Sequence, residues 1–318
     1  MGKKETSEWL WSEIKKMNPN VINKVCSSHI KLGLIYETDE EKSILHDFIF
    51  LNRYTFTLSK IQSKVKQPSD SDIQHALGFL DYIPVSQLQD KHNLKKYDVL
   101  ITSPGVQEYV KNMDLSHYTF HNNQDQQLKE RIIDDILEKD EIFYPLAHNF
   151  SGFRDVACHK IISLICIENA ALASGTALGN IKPGPHQIFT APLEAISDFT
   201  VLTLNEIRMA LILSGLCGNK SNFVDQLDDI GLIVGLGLTA RSLATNIKGK
   251  VPVIGLPAKA AVAYSFTWAI GEALLLKQMT GKNISRKLIK DLSKKLLEDS
   301  KKKVQEFLTR RKEGKMGA

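Results

Sequence analysis

The sequence has few cysteines, and they follow no pattern. Cys26, Cys158, Cys166 and Cys217 are scattered along the chain without a paired spacing. Disulfide frameworks and structural zinc sites use cysteines at short, recurring intervals. The spacing therefore argues against both and indicates a reducing compartment.

A secretory signal is also lacking. Residues 1–16 begin with lysines and then mix Glu, Trp and Ser, without an apolar core stretch or a small-residue cleavage site. We therefore expect the bulk of the chain to face the cytoplasm. Aromatic stacking platforms and a nucleic-acid reader motif are missing too, so nucleic acid is not an expected partner.

The composition is that of a folded protein with an uneven charge. The 318 residues are 43% hydrophobic and 24% charged, which excludes extensive disorder and allows two domains, each with its own core. Residues 285–315 hold twelve Lys/Arg and five Asp/Glu, a local charge of +7, so the remainder of the +5 chain carries about −2. The basic character belongs to the tail.

The first half predicts an α/β domain. Short apolar runs at residues 30–36, 76–82, 97–103 and 118–121 alternate with polar and helical segments, the first of them followed by a helix over 40–52. This alternation favours a mainly parallel sheet with covering helices. We further predict an amphipathic helix at 6–17 and a loop at 63–75.

The second half predicts an all-α bundle. From about residue 150 onward, alanine, glycine and serine crowd the apolar stretches, which lets helix backbones approach closely and permits self-association. Residues 251–276 are long enough to cross a bilayer but include Pro257, Lys259 and Glu272. A membrane hairpin formed by residues 230–276, a surface-bound hairpin and a buried core helix are the alternatives. Surface association is preferred.

The basic tail repeats apolar residues at near-helical spacing. This pattern predicts a basic amphipathic helix, which rests on anionic lipid, binds an acidic partner or packs against the bundle. The predicted boundaries are an N-terminal helix at 1–28, the α/β domain at 29–147, the bundle at 148–282 and the basic helix and tail at 283–318.

One segment resembles a phosphate-binding loop that has lost its glycines. A P-loop reads G-x-x-x-x-G-K-[ST] between a strand and a helix, and residues 36–43 match its position, length and final pair, Lys42 and Ser43. Both glycines are absent, and carboxylates stand in the loop instead. Since like charges at short range repel, this loop should not bind a triphosphate.

Later segments continue this pattern in order. Asp81 lies where a small GTPase carries Asp-x-Pro-Gly, and Asn122 and Asp125 match two residues of the guanine-reading Asn-Lys-x-Asp. Together with Lys42 and Ser43, these residues resemble an Era-like small GTPase domain that is shortened and eroded at each functional element. The resemblance implies a P-loop GTPase-like fold.

The C-terminal half resembles the YcjF-like domain of unknown function over about residues 150–280. The resemblance rests on spaced patches at Phe153-Arg154, Glu168-Asn169-Ala170, residues 198–209, Arg241, Pro252, Gly255 and residues 267–271. In bacteria that domain commonly follows an Era-like GTPase domain or membrane-spanning segments. The resemblance implies helices and membrane association, and no known reaction.

Polar residues lie on otherwise apolar stretches of the predicted bundle, where an unpaired charge is costly. They are Glu168, Asp198, Asn205, Glu206, Arg208, Arg241 and Glu272. Two pairings are hypothesised: Glu206 with Arg208, and Glu168 with Arg241.

His148, His159, Asp155 and Cys158 cluster in sequence without a second ligand group. A structural role is favoured over a metal site or nucleophilic pair.

The function predicted from these features is a non-catalytic, GTPase-like scaffold or adaptor with a membrane-associating helical module. It has no cofactor, metal or catalytic residue, and its partners are the membrane surface and an unidentified protein. One alternative is an active GTP-binding protein, in which Lys42, Ser43 and Asp81 serve the phosphates and magnesium while Asn122 and Asp125 read guanine. The other is an integral membrane protein.

Overall fold

A computed structural model describes most of the two predicted regions. The described residues are 17–51, 55–58, 61–88, 91–110, 117–121, 125–174, 198–219, 231, 233, 256–282 and 285–312. The predicted helix at 6–17 lies outside them except for its last residue.

The N-terminal region contains a four-stranded parallel sheet. Its order is β4-β1-β5-β6, with a separate antiparallel pair, β2-β3. The strands are β1 Leu32–Tyr36, β2 Thr55–Leu58, β3 Ile61–Lys64, β4 Leu80–Pro84, β5 Val99–Thr102 and β6 Tyr118–Thr119. The predicted parallel α/β domain is confirmed.

Ten α-helices accompany these strands within the described residues. They are α1 Pro19–Cys26, α2 Asp39–Phe50, α3 Asp70–Ala76, α4 Gln107–Val110, α5 Asp125–Asp135, α6 Asp140–Asn149, α7 Arg154–Ala173, α8 Asp198–Leu216, α9 Leu256–Thr280 and α10 Arg286–Lys312. Helices α7 to α10 pack together, which confirms the predicted helical region.

The apolar runs form strands because burial covers both faces of the sheet. All four residues of β5 are buried, as are the first four of β1, and such continuous apolar runs are typical of parallel strands covered by helices. The run at 76–82 begins its strand only at Leu80, because a short 3₁₀ helix occupies Leu77–Phe79.

The predicted loop at 63–75 is confirmed only for residues 65–69. Its first residues end strand β3, and its last six form most of α3. A capping box starts this helix: the Ser69 hydroxyl accepts the Asp72 N–H, and the Asp72 carboxylate accepts the Ser69 N–H. The polar composition concealed the cap, which is itself a helix-start signal.

One continuous hydrophobic cluster runs from the sheet into the helical bundle. The join lies at the C-terminal end of α2, where the Phe48 ring meets the Phe153 ring edge-on at 5.7 Å between centroids. The Ser151 hydroxyl donates to the Phe50 carbonyl at the same place. The sheet and bundle are therefore packed together through α2 and the 151–153 turn.

Helices α7 and α9 approach closely in the bundle, and Gly271 of α9 lies against Ile162 of α7. The long basic helix α10 packs along α9, with Ile289 and Val304 buried. The Lys303 ammonium lies 4.7 Å from the centroid of the Trp268 ring. The apolar side of the basic helix thus packs against the bundle, which is one of the alternatives predicted for it.

Candidate functional site

The sheet has a topological switch point at its centre. Strand β1 is flanked by β4 on one side and β5 on the other, so the chain reverses its direction of strand addition there. Ligands of open α/β sheets bind in the crevice outside the carboxyl ends of such strands. Here that crevice lies between the turn that follows Tyr36 and the turn that follows Thr102.

The Glu41 side chain fills this crevice. Its Oε2 accepts the N–H groups of Glu37 at 2.8 Å and Thr38 at 3.2 Å, and its Oε1 accepts the N–H of Gly105 at 3.4 Å. The Thr38 hydroxyl accepts the Glu41 N–H in return, which completes a capping box at the start of α2. Three backbone N–H groups at this crevice are thus bound by a carboxylate of the same chain.

This carboxylate is held in its charged form. Burial acts to raise the pKa of Glu41, but hydrogen bonds from the backbone N–H of Glu37 and its other partners outweigh burial, and the pKa is lowered. With Glu37 exposed beside it, the crevice carries negative charge where a phosphate would need positive charge.

Lys42 is engaged by tyrosines. Its ammonium lies 5.0 Å from the centroid of the Tyr82 ring and 5.7 Å from that of the Tyr36 ring, at cation–π distances. Tyr36 and Tyr82 belong to the neighbouring strands β1 and β4. Ser43 is exposed on α2.

Asp81 lies away from this crevice. It is the second residue of β4 and pairs in register with Gly33, near the amino end of β1. The Tyr97 hydroxyl donates to its carboxylate at 2.6 Å and Lys96 forms a 3.3 Å ion pair with it, and both of these partners precede β5. The structure therefore does not bring Asp81 together with Lys42.

The predicted guanine-reading residues are partly described. Asp125 is the first residue of α5, following the carboxyl end of β6, and its carboxylate lies 3.5 Å from the Lys129 ammonium one turn later. Asn122 lies outside the described residues. Asp125 is thus already paired with a lysine of its own helix.

Sequence reasoning missed the aromatic cluster beside Lys42. The Tyr82 hydroxyl lies 2.5 Å from Nδ1 of His46, and the His46 ring packs against Phe50 at 4.6 Å between centroids. Burial raises the pKa of Tyr82 to about 12. The signal available in the sequence was the placement of Tyr36 and Tyr82 at or near the ends of two predicted strands.

A second polar site lies inside the bundle. Arg208 Nη2 of α8 lies 2.5 Å from Glu168 Oε2 of α7, and both side chains are less than a tenth exposed. The observed ion pair therefore joins one residue from each of the two hypothesised pairs. This combination of Glu168 with Arg208 was not predicted. Arg241 lies outside the described residues, as does the side chain of Asp198, which begins α8.

Four further side chains form a chain of hydrogen bonds across three helices. Asn205 donates to Asn169 at 2.8 Å, Asn169 donates to Thr267 at 2.9 Å, and Thr267 donates to Glu206 at 3.2 Å. Burial raises the pKa of Glu206 to about 8, against the opposing effect of the Thr267 bond. Glu206 thus contacts Thr267 instead of forming the expected pair with Arg208.

His159 joins α7 to α9. Its Nε2 lies 3.1 Å from Glu272 Oε1, and its Nδ1 lies 2.7 Å from the Asp155 carbonyl oxygen. Burial acts to lower the pKa of His159, but the hydrogen bond and the charge of Glu272, together with the contacts of Asp155, outweigh burial, and the pKa is raised. His148 contacts the Gly215 carbonyl at 2.7 Å. These histidine contacts are the kind that a structural role requires.

Across the part of the chain that the structure describes, no group of three metal-ligating side chains comes together. One helical stretch there, residues 151–173, is long and apolar enough to cross a membrane by length and composition, but 61% of its most apolar window is buried inside the protein, as in a core helix.

These features define the class: a parallel α/β domain, its switch point occupied by its own carboxylate, joined to a helical bundle whose apolar interior contains a few buried polar side chains. No protein family, curated protein or solved structure matches the chain.

Proposed function

We propose that this protein is a non-catalytic, GTPase-like scaffold, in which the α/β domain has lost nucleotide binding and the helical bundle carries a contact with the membrane surface. The observation that supports this most directly is the Glu41 carboxylate in the crevice. A nucleotide phosphate would have to displace it from three backbone N–H groups.

The surroundings of Lys42 support the same proposal. A P-loop lysine reaches the phosphates as a point charge. Lys42 is instead half-buried between the rings of Tyr36 and Tyr82, where it stabilises the packing of α2 on β1 and β4. Binding of a triphosphate would require both Lys42 and Glu41 to change their partners.

The proposed membrane contact rests on α10. Its apolar stripe packs on α9, while Lys287, Lys294, Lys295, Lys301 and Lys302 are exposed. Juxtamembrane lysines attract anionic lipid by about 1 kcal/mol each, without insertion of an apolar face. This arrangement supports a peripheral, electrostatic attachment in preference to a spanning one.

Calorimetric titration tests the nucleotide part of the proposal. We expect neither GTP nor a non-hydrolysable GTP analogue to bind the full chain in the micromolar range with magnesium present. Lys42→Ala should leave this result unchanged. Clear micromolar binding that depends on magnesium would overturn the proposal, and loss of that binding in Lys42→Ala would establish the GTP-binding alternative.

Vesicle sedimentation tests the membrane part. The full chain should bind vesicles that contain phosphatidylserine and should be released by high salt, because exposed charges are screened. Replacing Lys294, Lys295, Lys301 and Lys302 by Glu should abolish binding. Binding that is equal on neutral vesicles, or that survives both high salt and carbonate extraction, would contradict peripheral attachment.

A further inference from the structure

Two of the four cysteines meet in the folded protein although 59 residues separate them. Cys158 of α7 and Cys217 at the end of α8 have their sulfur atoms 3.9 Å apart, and both are buried. A disulfide bond is about 2.05 Å long, so closing it requires an approach of roughly 2 Å, which rotation of the two side chains can share.

The backbone around Cys217 is fixed by a Schellman motif. Gly218 has φ +83°, its N–H donates to the Gly215 carbonyl at 3.1 Å, and the Asn219 N–H donates to the Ser214 carbonyl at 3.1 Å. Cys217 is the C-cap of α8 in this motif. Because these backbone hydrogen bonds hold the end of α8, the Cys217 thiol has a defined position next to α7.

A guanidinium lies beside this thiol. Arg154 donates from Nη2 to the His148 carbonyl at 2.7 Å and from Nε to the Ala147 carbonyl at 3.2 Å, which holds the group against Gly218. The hydrogen bond from Cys158 lowers the pKa of the Cys217 thiol, burial opposes this, and Arg154 adds to the lowering. Cys217 is also the more accessible of the two, since it is 8% exposed and Cys158 is 0% exposed, so it is the thiol that a reagent from solvent meets first.

A polar cavity gives access to Cys217. It has a volume of 290 Å³, and Cys217 and Arg154 line it together with Ser151 and Asp72. Lys66 and Asn219, which are exposed, form part of its lining and open it to solvent. A molecule as small as hydrogen peroxide fits within this space.

We propose that Cys158 and Cys217 form a peroxide-sensitive dithiol, which closes to an intramolecular disulfide between α7 and the end of α8. The Cys217 sulfur attacks one peroxide oxygen and the O–O bond breaks. The other oxygen leaves as water with the thiol proton, and Cys217 becomes a sulfenic acid. The Cys158 sulfur then attacks the Cys217 sulfur, the S–O bond breaks, and the hydroxyl leaves as a second water with the Cys158 proton.

This reaction consumes one hydrogen peroxide and two thiols and yields one disulfide and two waters. A cellular thiol reductant reverses it by thiol–disulfide exchange. The bond would tie α7 to the end of α8 beside the cavity. Oxidation would therefore stiffen the bundle close to the point where the Lys66 N–H donates to the Met279 carbonyl. The proposal does not depend on whether the α/β domain binds nucleotide.

The test is a thiol map of the reduced full chain after treatment with hydrogen peroxide. The protein is then unfolded in the presence of an alkylating reagent, which modifies the thiols that remain free, and after digestion the peptides are identified by mass spectrometry. We expect free thiols to fall from four to two, with a peptide linking Cys158 to Cys217 that dithiothreitol removes. Cys26 and Cys166 should remain alkylatable, because burial raises the pKa of both thiols.

Variants sharpen the outcome. Cys217→Ser should abolish the linked peptide, Cys158→Ser should leave a sulfenic acid on Cys217 that a dimedone probe captures, and Cys166→Ser should behave as the wild type. The thiol map of the wild-type protein tests the proposal even if one of these variants fails to fold. Four unreacted thiols, equal oxidation of Cys26 or Cys166, or links only between chains would each overturn the proposal.

Discussion

The Arg208 guanidinium of α8 and the Glu168 carboxylate of α7 form an ion pair of 2.5 Å inside the helical bundle. Their side chains are 6% and 9% exposed. Burying two charges costs several kcal/mol per ion unless they are paired, so each residue makes the burial of the other tolerable. The pair joins α7 to α8 inside the bundle.

Removal of either partner should destabilise the protein strongly. We expect Glu168→Gln or Arg208→Met to lower the free energy of unfolding by about 3–5 kcal/mol, because each removes the opposite charge that lies 2.5 Å from a buried charged group. The double variant should lose much less than the sum of the two. Denaturant unfolding of all four proteins measures the coupling.

The matched control is an exposed pair on α10. Lys301 and Glu298 lie 2.6 Å apart, with side chains 48% and 75% exposed. Lys301→Ala should change stability by no more than about 1 kcal/mol. Strictly additive losses at Glu168 and Arg208 would show that the two residues stabilise the bundle independently.

The buried Glu206 carboxyl should make stability depend on pH. Its pKa rises from 4.5 to about 8 on folding, so the folded chain holds a proton that the unfolded chain releases. The stability that Glu206 contributes is then fully present below pH 4.5 and falls as the pH rises towards 8. Glu206→Gln removes the titrating group and keeps an oxygen that can accept from Thr267.

Unfolding measured at intervals from pH 5 to pH 8 checks this. The wild-type slope should exceed that of Glu206→Gln by up to one proton, about 1.4 kcal/mol per pH unit. Identical slopes would mean that Glu206 ionises in the folded protein much as it does in the unfolded chain.

The Glu41 carboxylate should stabilise the crevice only while it is charged. Its folded pKa is lowered, so its contribution is present above the ordinary pKa of 4.5 and is lost as pH falls through the folded pKa. At neutral pH we expect Glu41→Ala to cost about 1 kcal/mol, the usual value of a capping interaction. The difference from wild type should shrink in acid.

Glu40→Ala is the control for this prediction, because Glu40 is exposed on the same first turn of α2. It should change stability by less than about 0.5 kcal/mol. If both variants cost the same, helix-dipole charge, and not the crevice hydrogen bonds, would account for the effect of Glu41.

Much of the backbone was readable because apolar runs and small-residue stretches report burial directly. The four parallel strands and the helical bundle followed from these patterns. The absence of both P-loop glycines could be read directly from residues 36–43. The partners of individual side chains were not readable. Glu168 and Arg208 are forty positions apart, and only the packing of α7 on α8 brings them together.

The same limit concealed the crevice and the dithiol. Counting carboxylates in residues 37–41 predicted repulsion of phosphate, but it could not show that Glu41 turns back onto the N–H groups of Glu37 and Thr38. The Thr38-x-x-Glu41 spacing was the available signal, since it matches a capping box. Cys158 and Cys217 offered no signal, because their meeting depends on where α8 ends.

The join between the sheet and the bundle should tolerate no side chain at Gly152. A Cβ there would lie 2.4 Å from the Phe48 carbonyl oxygen and 2.7 Å from that of Ile49. Both are backbone atoms at the end of α2, and rotation of a side chain cannot relieve the clash. Gly152→Ala must therefore displace α2 from the 151–153 turn, and we expect a loss of at least about 2 kcal/mol in unfolding free energy.

Gly78→Ala is the matched comparison, since a Cβ at Gly78 meets nothing within 4 Å and the residue lies in a short 3₁₀ helix. It should be neutral or stabilising by up to about 1 kcal/mol, because alanine restricts the unfolded chain. Hydrogen exchange adds a local readout. In Gly152→Ala the amides of the last turn of α2 should lose protection before those of β1. Equal stability of the two variants would mean that the sheet and bundle do not meet at this turn.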